Sequence, residues 1–471
     1  MADAVLNLDT TMLPEGANEE LAGPPHAIAP VQRAERVASV DVLRGFALLG
    51  ILLMNITSFG LPAWAYAVPL STPLPVFSGP HARLNTIAWF LRWILAEGKM
   101  RALFSMLFGA GVILLTDRAE KRGAGIRAAD IYTRRNMWLV LFGMVHAYFI
   151  WYGDILFWYG MTGLLFLFPF RTLKVKTLIR SAVVVFVVSG LVVEGGQYAH
   201  MYFGQKKAVE INALLHAGKP ITDDQVDSLK DWKDTQDQFR PPQKTIDEDV
   251  TAMRKGYWSA MGHNAKEVLQ TQTLFYYLGF GDVLSFMLLG MAMYRCGFLT
   301  AKWSNRSYTL VAVVGLAVSW VVGYEGCIHA YRSHFDQFTS FRWLNFPYDL
   351  GRITGALGNA AALLLIFKSG GLRWLMRGFS GVGQMALSNY LLTSFSMKML
   401  FVWGPWKLYG RMEYYRLYEV VLGVWIVNMV WSWVWLRYFQ FGPVEWLWRS
   451  LTYWKRQPML RRETAGVEVA A

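Results

Sequence analysis

The chain alternates long apolar segments with short polar connections. Runs of about 20 apolar residues are long enough to cross a bilayer as helices. The pattern predicts about ten such spans, at residues 40–60, 98–117, 136–152, 154–170, 178–200, 273–295, 308–328, 350–367, 381–403 and 417–438. The predicted fold is therefore all-α, a polytopic membrane protein whose spans form two five-helix halves.

The polar segments between and around these spans predict the organisation of the chain. The stretch between the halves shows helical periodicity, with a helix start at Thr222 followed by Asp223 and Asp224. The predicted regions are a disordered tail (1–38), an N-terminal transmembrane half (39–201), a small helical insertion (202–270), a C-terminal transmembrane half (271–441) and a basic tail (442–471).

The composition agrees with a membrane protein, and the distribution of charge predicts its orientation in the membrane. The chain is 54% hydrophobic and 17% charged, which excludes a disordered chain and disfavours a soluble enzyme. The net charge of +13 would indicate nucleic acid in a soluble protein, but here the Lys and Arg residues cluster in alternate connections. This is the positive-inside pattern, which predicts cytoplasmic termini, an extracytoplasmic insertion and no nucleic-acid partner.

Polar and ionisable side chains inside the predicted spans are the candidate functional residues, because each costs roughly 2.5–3.5 kcal/mol to insert when charged. His146, Asp154 and Glu97 are the candidate catalytic residues: a carboxylate would orient the imidazole, which would act as a general base. The candidate donor- or substrate-binding residues are Asp41, Arg44, Asn55, Asp282 and Asn389. No spacing of His and Cys predicts a metal site.

Other interpretations of the same residues stay open. Asp41 and Arg44, three residues apart on one helix, would also neutralise each other as a simple ion pair. An intramembrane His often packs by donating to a carbonyl. The cluster of His146, Asp154 and Glu97 would serve equally well as a proton relay in a transporter.

Several strings of residues carry a family resemblance. They are residues 39–55, 97–105, 108–111, 143–146, 153–156, 287–294, 384–392 and 441–453. Together they resemble the YeiB-like family of bacterial inner-membrane proteins, whose C-terminal half is a domain of unknown function. The Asp41-x-x-Arg44-Gly45 string is also similar to the first helix of the transmembrane acyltransferase superfamily.

The resemblance implies an inner-membrane protein that transfers an acyl group from a cytoplasmic acyl-CoA-type co-substrate to an envelope or lipid-linked acceptor. The superfamily's catalytic His has no counterpart here, and Glu97 stands in the corresponding segment. The predicted role of His146 therefore rests on the free-energy cost of an ionisable side chain in the membrane and on its predicted depth there. The alternatives are a proton-coupled transporter or exporter, and a non-catalytic scaffold whose insertion binds an envelope partner.

Overall fold

A computed structural model of the chain describes residues 37–121 and 126–461, and the regular elements there are helices. The predicted tail at 1–38, except for its last two residues, and the end of the basic tail at 462–471 lie outside the described residues. The helices are Ala38–Gly60 (α1), Ala82–Leu91 (α2), Lys99–Lys121 (α3), Ile126–Phe149 (α4), Leu156–Thr162 (α5), Val175–Gly190 (α6), Gly196–His216 (α7), Asp223–Phe239 (α8), Gln243–Lys255 (α9), Tyr257–Gln272 (α10), Leu274–Arg295 (α11), Asn305–Arg332 (α12), Gln337–Ser340 (α13), Tyr348–Ser369 (α14), Arg373–Gln384 (α15), Ala386–Lys398 (α16), Arg416–Tyr438 (α17) and Pro443–Tyr453 (α18).

Seven helical segments of the described chain are long and apolar enough to cross a membrane. Each coincides with one of the predicted spans. They are Ala38–Gly60, Ala82–Lys121, Val175–His216, Tyr276–Arg295, Asn305–Arg332, Gln337–Ser369 and Arg416–Tyr438. The predicted class, an all-α polytopic protein associated with the lipid bilayer, is confirmed.

The three other predicted spans are helical but do not belong to these seven. The span at 136–152 is the second part of α4, whose first part carries Arg134 and Arg135. The span at 154–170 contains the short helix α5 and the π-helical and 3-10 turns that follow it. The span at 381–403 is divided between α15 and α16, because the backbone of Met385 leaves helical geometry there, with φ −113° and ψ 33°.

Close contacts between backbones hold the central helices together. Gly109 of α3 lies against the backbone of Met287 in α11, and Gly290 of α11 lies against the backbone of Met106. A side chain at either glycine would collide with main-chain atoms that cannot move aside. Small residues are typical of helix interfaces in membranes, and the Gly109 contact agrees with a packing role for residues 108–111.

The segment predicted as an insertion, residues 202–270, has helices that pack on the bundle. Thr222 begins α8 with a capping box to Gln225, which confirms the predicted helix start. The predicted helical stretch at 244–269 is divided into α9 and α10 at Gly256, whose φ of 137° favours glycine. Val250 and Ala260 belong to the same buried apolar cluster as residues of α1.

Candidate functional site

His146 and Asp154 form a buried pair between α4 and α5. The Nδ1 atom of His146 lies 2.8 Å from Oδ1 of Asp154, and both side chains are almost completely buried. The second carboxylate oxygen, Oδ2, accepts a hydrogen bond of 2.7 Å from the backbone N–H of Phe157 in the first turn of α5. Gly143 leaves room for the backbone of Phe157 beside α4. The carboxylate is therefore fixed by the chain turn that brings it to the imidazole.

The hydrogen bond to Asp154 determines the chemistry of the imidazole. An ionised carboxylate can only accept, so in its pairing with Asp154 the Nδ1 atom donates, and in the neutral ring Nε2 keeps the lone pair. Nε2 is buried and has no hydrogen-bond partner in the described chain. The ring contacts Tyr390 and Trp151, with centroid distances of 5.0 and 6.3 Å. An oriented imidazole with an unpartnered Nε2 is the arrangement of a general base.

Asp154 also borders a cavity of about 510 Å³, which we call the acidic cavity. Its lining includes the acidic residues Asp154, Glu194, Glu267, Asp282 and Asp349. Two arginines line it, Arg101 and Arg352, as do Asn55 and Tyr348. Its volume lies within the usual range for small-molecule sites. Two of the predicted binding residues, Asn55 and Asp282, therefore face the same space as Asp154.

The two arginines of the acidic cavity are held differently. Arg352 binds both carboxylate oxygens of Asp282 and also lies 3.1 Å from Asp349. Arg101 donates a hydrogen bond of 3.4 Å to the hydroxyl of Tyr348 and forms no ion pair among the described residues. Arg352 is therefore neutralised by its neighbours, whereas the charge of Arg101 faces the cavity.

Glu97 lies in a separate network behind the acidic cavity. Its carboxylate is 2.7 Å from Arg92 and accepts hydrogen bonds from the hydroxyls of Tyr66 (2.8 Å) and Tyr348 (3.1 Å). Burial and the nearby Glu97 carboxylate raise the pKa of Tyr66, so its phenol stays protonated and donates. The structure places Asp154, and not Glu97, beside His146; Glu97 is linked to the cavity through Tyr348, which also accepts a hydrogen bond from Arg101.

A second cavity, of about 210 Å³, lies toward the other end of α1; we call it the basic cavity. The charged residues that line it are Asp41, Arg44, Arg135, Glu445 and Arg449. Asp41 and Arg44 form an ion pair of 2.8 Å at its edge. Many of the other lining residues are apolar, and two of them, Ile51 and Ile155, also line the acidic cavity. The two cavities therefore meet at these isoleucines, next to Asp154.

Glu445 is a site residue that the sequence did not single out. Its carboxylate accepts hydrogen bonds from the backbone N–H groups of Leu387 (2.6 Å) and Ser388 (3.1 Å), and from the Ser388 hydroxyl. It thereby caps the start of α16, at the point where the predicted span 381–403 is broken. Burial raises the pKa of Glu445 although these hydrogen bonds oppose the shift. The string at 441–453 contained Glu445, but only the fold connects it with residues 384–392.

Asn389, also a predicted binding residue, lines neither cavity. Its Nδ2 donates to the Ser432 hydroxyl (2.8 Å) and the Val382 carbonyl (3.3 Å), so it joins α16 to α17 and α15. Among the described residues no group of three or more His, Cys, Asp or Glu side chains is arranged to hold a metal ion.

Comparisons with known proteins give relatives along most of the chain. Residues 293–455 match the family described as a protein of unknown function (DUF418). The uncharacterized protein YeiB of Escherichia coli (strain K12) is 29% identical over 430 residues, covering 89% of this chain and 96% of that protein. The uncharacterized protein YxaH of Bacillus subtilis (strain 168) is 29% identical over 442 residues, covering 93% and 99%.

No solved structure matches the chain. The two relatives and the DUF418 match confirm the resemblance that the sequence strings predict. The chain is similar to YeiB over most of its length, and the DUF418 match lies in its C-terminal half.

Proposed function

We propose that this protein is a membrane acyltransferase that moves an acyl group from a cytoplasmic acyl-CoA-type donor to an envelope or lipid-linked acceptor. The observation that carries the proposal is the His146–Asp154 pair beside the isoleucines at which the basic and acidic cavities meet. Transfer across a bilayer needs a donor site on one side, an acceptor site on the other and a base between them.

The proposed reaction uses the unpartnered Nε2 of His146. This nitrogen takes the proton of an acceptor hydroxyl or amine while the acceptor atom attacks the carbonyl carbon of the thioester. The carbon–sulfur bond then breaks, and the imidazolium returns the proton to the leaving thiolate. Asp154 stabilises the imidazolium and keeps the proton on Nδ1, as the carboxylate does in hydrolases that use a His base.

Access to His146 requires a movement, because the side chain is completely buried and lines neither cavity. Tyr390 covers the imidazole and borders the basic cavity. Among the described residues its hydroxyl has a single long hydrogen bond, accepted from the N–H of Ile155 at 3.3 Å. We therefore include in the proposal a rotation of Tyr390 that exposes Nε2 when the donor binds.

The proposed location is the cytoplasmic membrane of a bacterium, with both termini in the cytoplasm. The relatives are bacterial proteins, and Lys and Arg cluster in alternate loops. In this orientation the basic cavity faces the cytoplasm, where Arg44 and Arg135 would meet the phosphates of a CoA-type donor. The acidic cavity and the insertion face the outside.

The direct test incubates purified full-length protein with acyl-CoA labelled in the acyl group and with envelope lipids as acceptors. We expect labelled product with the unchanged protein, and a loss of at least a hundredfold with His146→Ala, which removes the base. His200→Ala is the matched control, because His200 lies on the surface of α7 far along the chain from the pair. The absence of transfer and of donor hydrolysis with every acceptor would refute the proposal.

A proton-coupled transporter is the second candidate, and one observation favours it. The imidazole of His146 is closed off from both cavities, as in a relay that passes protons without touching the transported solute. Flux into proteoliposomes that depends on a pH gradient and is lost in His146→Ala, together with no acyl transfer, would establish this candidate instead.

A further inference from the structure

The acidic cavity lies behind a helix that faces lipid. Ser189 and Gly190 of α6 line the cavity. Other residues of the same helix, Val183, Val184 and Val187, are half exposed or more, as apolar side chains are where a helix contacts lipid chains. A helix with lipid-facing residues therefore forms part of the cavity wall, and a molecule held in the bilayer would reach the cavity by passing the edge of α6.

The two arginines that line the cavity have guanidinium N–H groups without hydrogen-bond partners in the described chain. Arg101 has five N–H donors and the structure gives it one hydrogen bond, to Tyr348. Arg352 is almost fully buried, and its Nε has no partner in the described chain although its other nitrogens hold Asp282 and Asp349. Guanidinium groups bind phosphate oxygens in a fork geometry, so these donors fit a phosphate ester.

Carboxyl groups outnumber arginines in the lining of the cavity. Five carboxyl groups and two arginines line it, and Arg352 is already in contact with two of the five, Asp282 and Asp349. Glu194 accepts a hydrogen bond of 3.3 Å from Asn345, and Glu267 projects from α10 of the insertion into the same space. A plain anion would be repelled by this surface, whereas a ligand with both a phosphate and a cation matches it.

We propose that the acidic cavity binds the headgroup of a phospholipid that carries a primary amine, with the phosphate at Arg101 and the ammonium group facing the carboxylates. A primary ammonium supplies three donors to those carboxylates, and a quaternary ammonium supplies none. This inference rests on the proposed function in one respect: the amine, once deprotonated by His146, would be the acyl acceptor.

The test is photo-crosslinking in nanodiscs of phosphatidylcholine, with a trace of phosphatidylethanolamine that carries a photoreactive group in its acyl chain. Unlabelled phosphatidylethanolamine should compete at least tenfold better than phosphatidylglycerol, which lacks the cation, or extra phosphatidylcholine, which lacks the N–H donors. Equal competition by the three lipids would overturn the proposal.

Two variants and two controls locate the site. Arg101→Gln should reduce crosslinking about tenfold, whereas Arg83→Gln, at an exposed position of α2, should leave it unchanged. Gly190→Leu adds a side chain where only Asp349 lies near, so it should fill the cavity and also reduce crosslinking. Gly196→Leu, where nothing lies within 4 Å, should have no effect.

The assay is independent of turnover. His146→Ala should crosslink as well as the unchanged protein, even if acyl transfer never occurs, so failure of the proposed reaction would not be mistaken for failure of the site. Unchanged crosslinking in both Arg101→Gln and Gly190→Leu would overturn the assignment of the lipid to this cavity.

Discussion

Glu445 joins two distant parts of the chain through one carboxylate. The carboxylate of Glu445 accepts hydrogen bonds from the backbone N–H groups of Leu387 and Ser388 at the start of α16. Glu445 itself belongs to α18, which begins two residues earlier at Pro443. Because the first N–H groups of a helix have no partner within that helix, a buried helix start needs an acceptor of this kind. Glu445 therefore allows the chain to break at Met385 inside the bundle.

Replacement of Glu445 should accordingly cost stability in a graded way. Glu445→Ala leaves two buried N–H groups without an acceptor and should lower the unfolding free energy by about 2 kcal/mol. Glu445→Gln keeps an acceptor oxygen and matches the neutral form that burial favours, so it should lose less than half as much. Thermal unfolding in detergent measures both, with the exposed Glu419→Ala as control. Equal losses for Ala and Gln would contradict the capping role.

The sequence indicated some of the neighbours of the buried ionisable side chains and missed others. The sequence left both Asp154 and Glu97 open as the carboxylate beside His146, and Asp154 is the one in contact with it, because the chain reverses within the few residues between them. Glu97 was grouped with them because a charged side chain is costly to insert into a membrane. Its carboxylate instead pairs with Arg92, five residues earlier in the chain. The role of Arg101 in the acidic cavity was not predicted, because which face of α3 borders empty space depends on how distant helices pack.

At the scale of helices, two glycines of α3 provide a matched pair. Gly109 touches the backbone of α11, whereas nothing lies within 4 Å of the position where a side chain at Gly111 would begin. Gly109→Ala should therefore push α3 from α11 and reduce the yield of folded protein or lower its Tm markedly. Gly111→Ala should be neutral or raise stability, since alanine is favoured over glycine in helices by about 1 kcal/mol. A similar loss in both variants would contradict this packing.

The pairing of α9 with α10 should depend on pH. His263 of α10 lies 2.9 Å from Asp249 of α9, which also accepts a hydrogen bond of 2.8 Å from Tyr409. The hydrogen bond to Asp249 raises the pKa of His263 above its usual value. A raised pKa means that the pair stabilises the fold below the unfolded pKa of about 6.5, and that this contribution is lost as pH rises through the folded value.

Hydrogen exchange in α9 and α10 measures this dependence. Exchange, corrected for the intrinsic effect of pH, should increase between pH 6 and pH 8 in the unchanged protein. Asp249→Asn should flatten the profile, because it removes the charge that holds the proton. A profile that is the same in the variant would exclude the His263–Asp249 pair as its cause.

The same elements show how far the sequence predicts the fold. Hydropathy located the seven long apolar helices because each exceeds the length needed to cross a bilayer. It did not reveal the break at Met385, since the stretch around it is apolar on average and the acceptor that permits the break lies 60 residues later. Nor did it show that Val250 and Ala260 join the core of the bundle, because an insertion that packs on a membrane domain is polar overall.

For the molecule as a whole, the arrangement of the two cavities predicts a two-sided protein. Asp41 and Arg44 line the basic cavity at the start of α1, Asn55 lines the acidic cavity near its end, and Ile51 borders both. At about 1.5 Å per residue, Arg44 and Asn55 are roughly 16 Å apart along the helix, about half the thickness of the hydrocarbon core. The cavities therefore reach toward opposite faces of the membrane.

Cysteine labelling in a background without Cys296 and Cys327 tests this arrangement. Thr271→Cys lies in the acidic cavity and Gln384→Cys in the basic cavity. An impermeant maleimide added to intact cells should label Thr271→Cys only, and inside-out vesicles should reverse the result. If both positions react from the same side, the cavities do not serve opposite faces, and an acyl group could not pass from a cytoplasmic donor to an outer acceptor at His146. If each reacts from its own side, the two cavities serve opposite faces, and an acyl group would pass between them at Ile51 and Ile155, beside Asp154 and the His146 ring that Tyr390 covers.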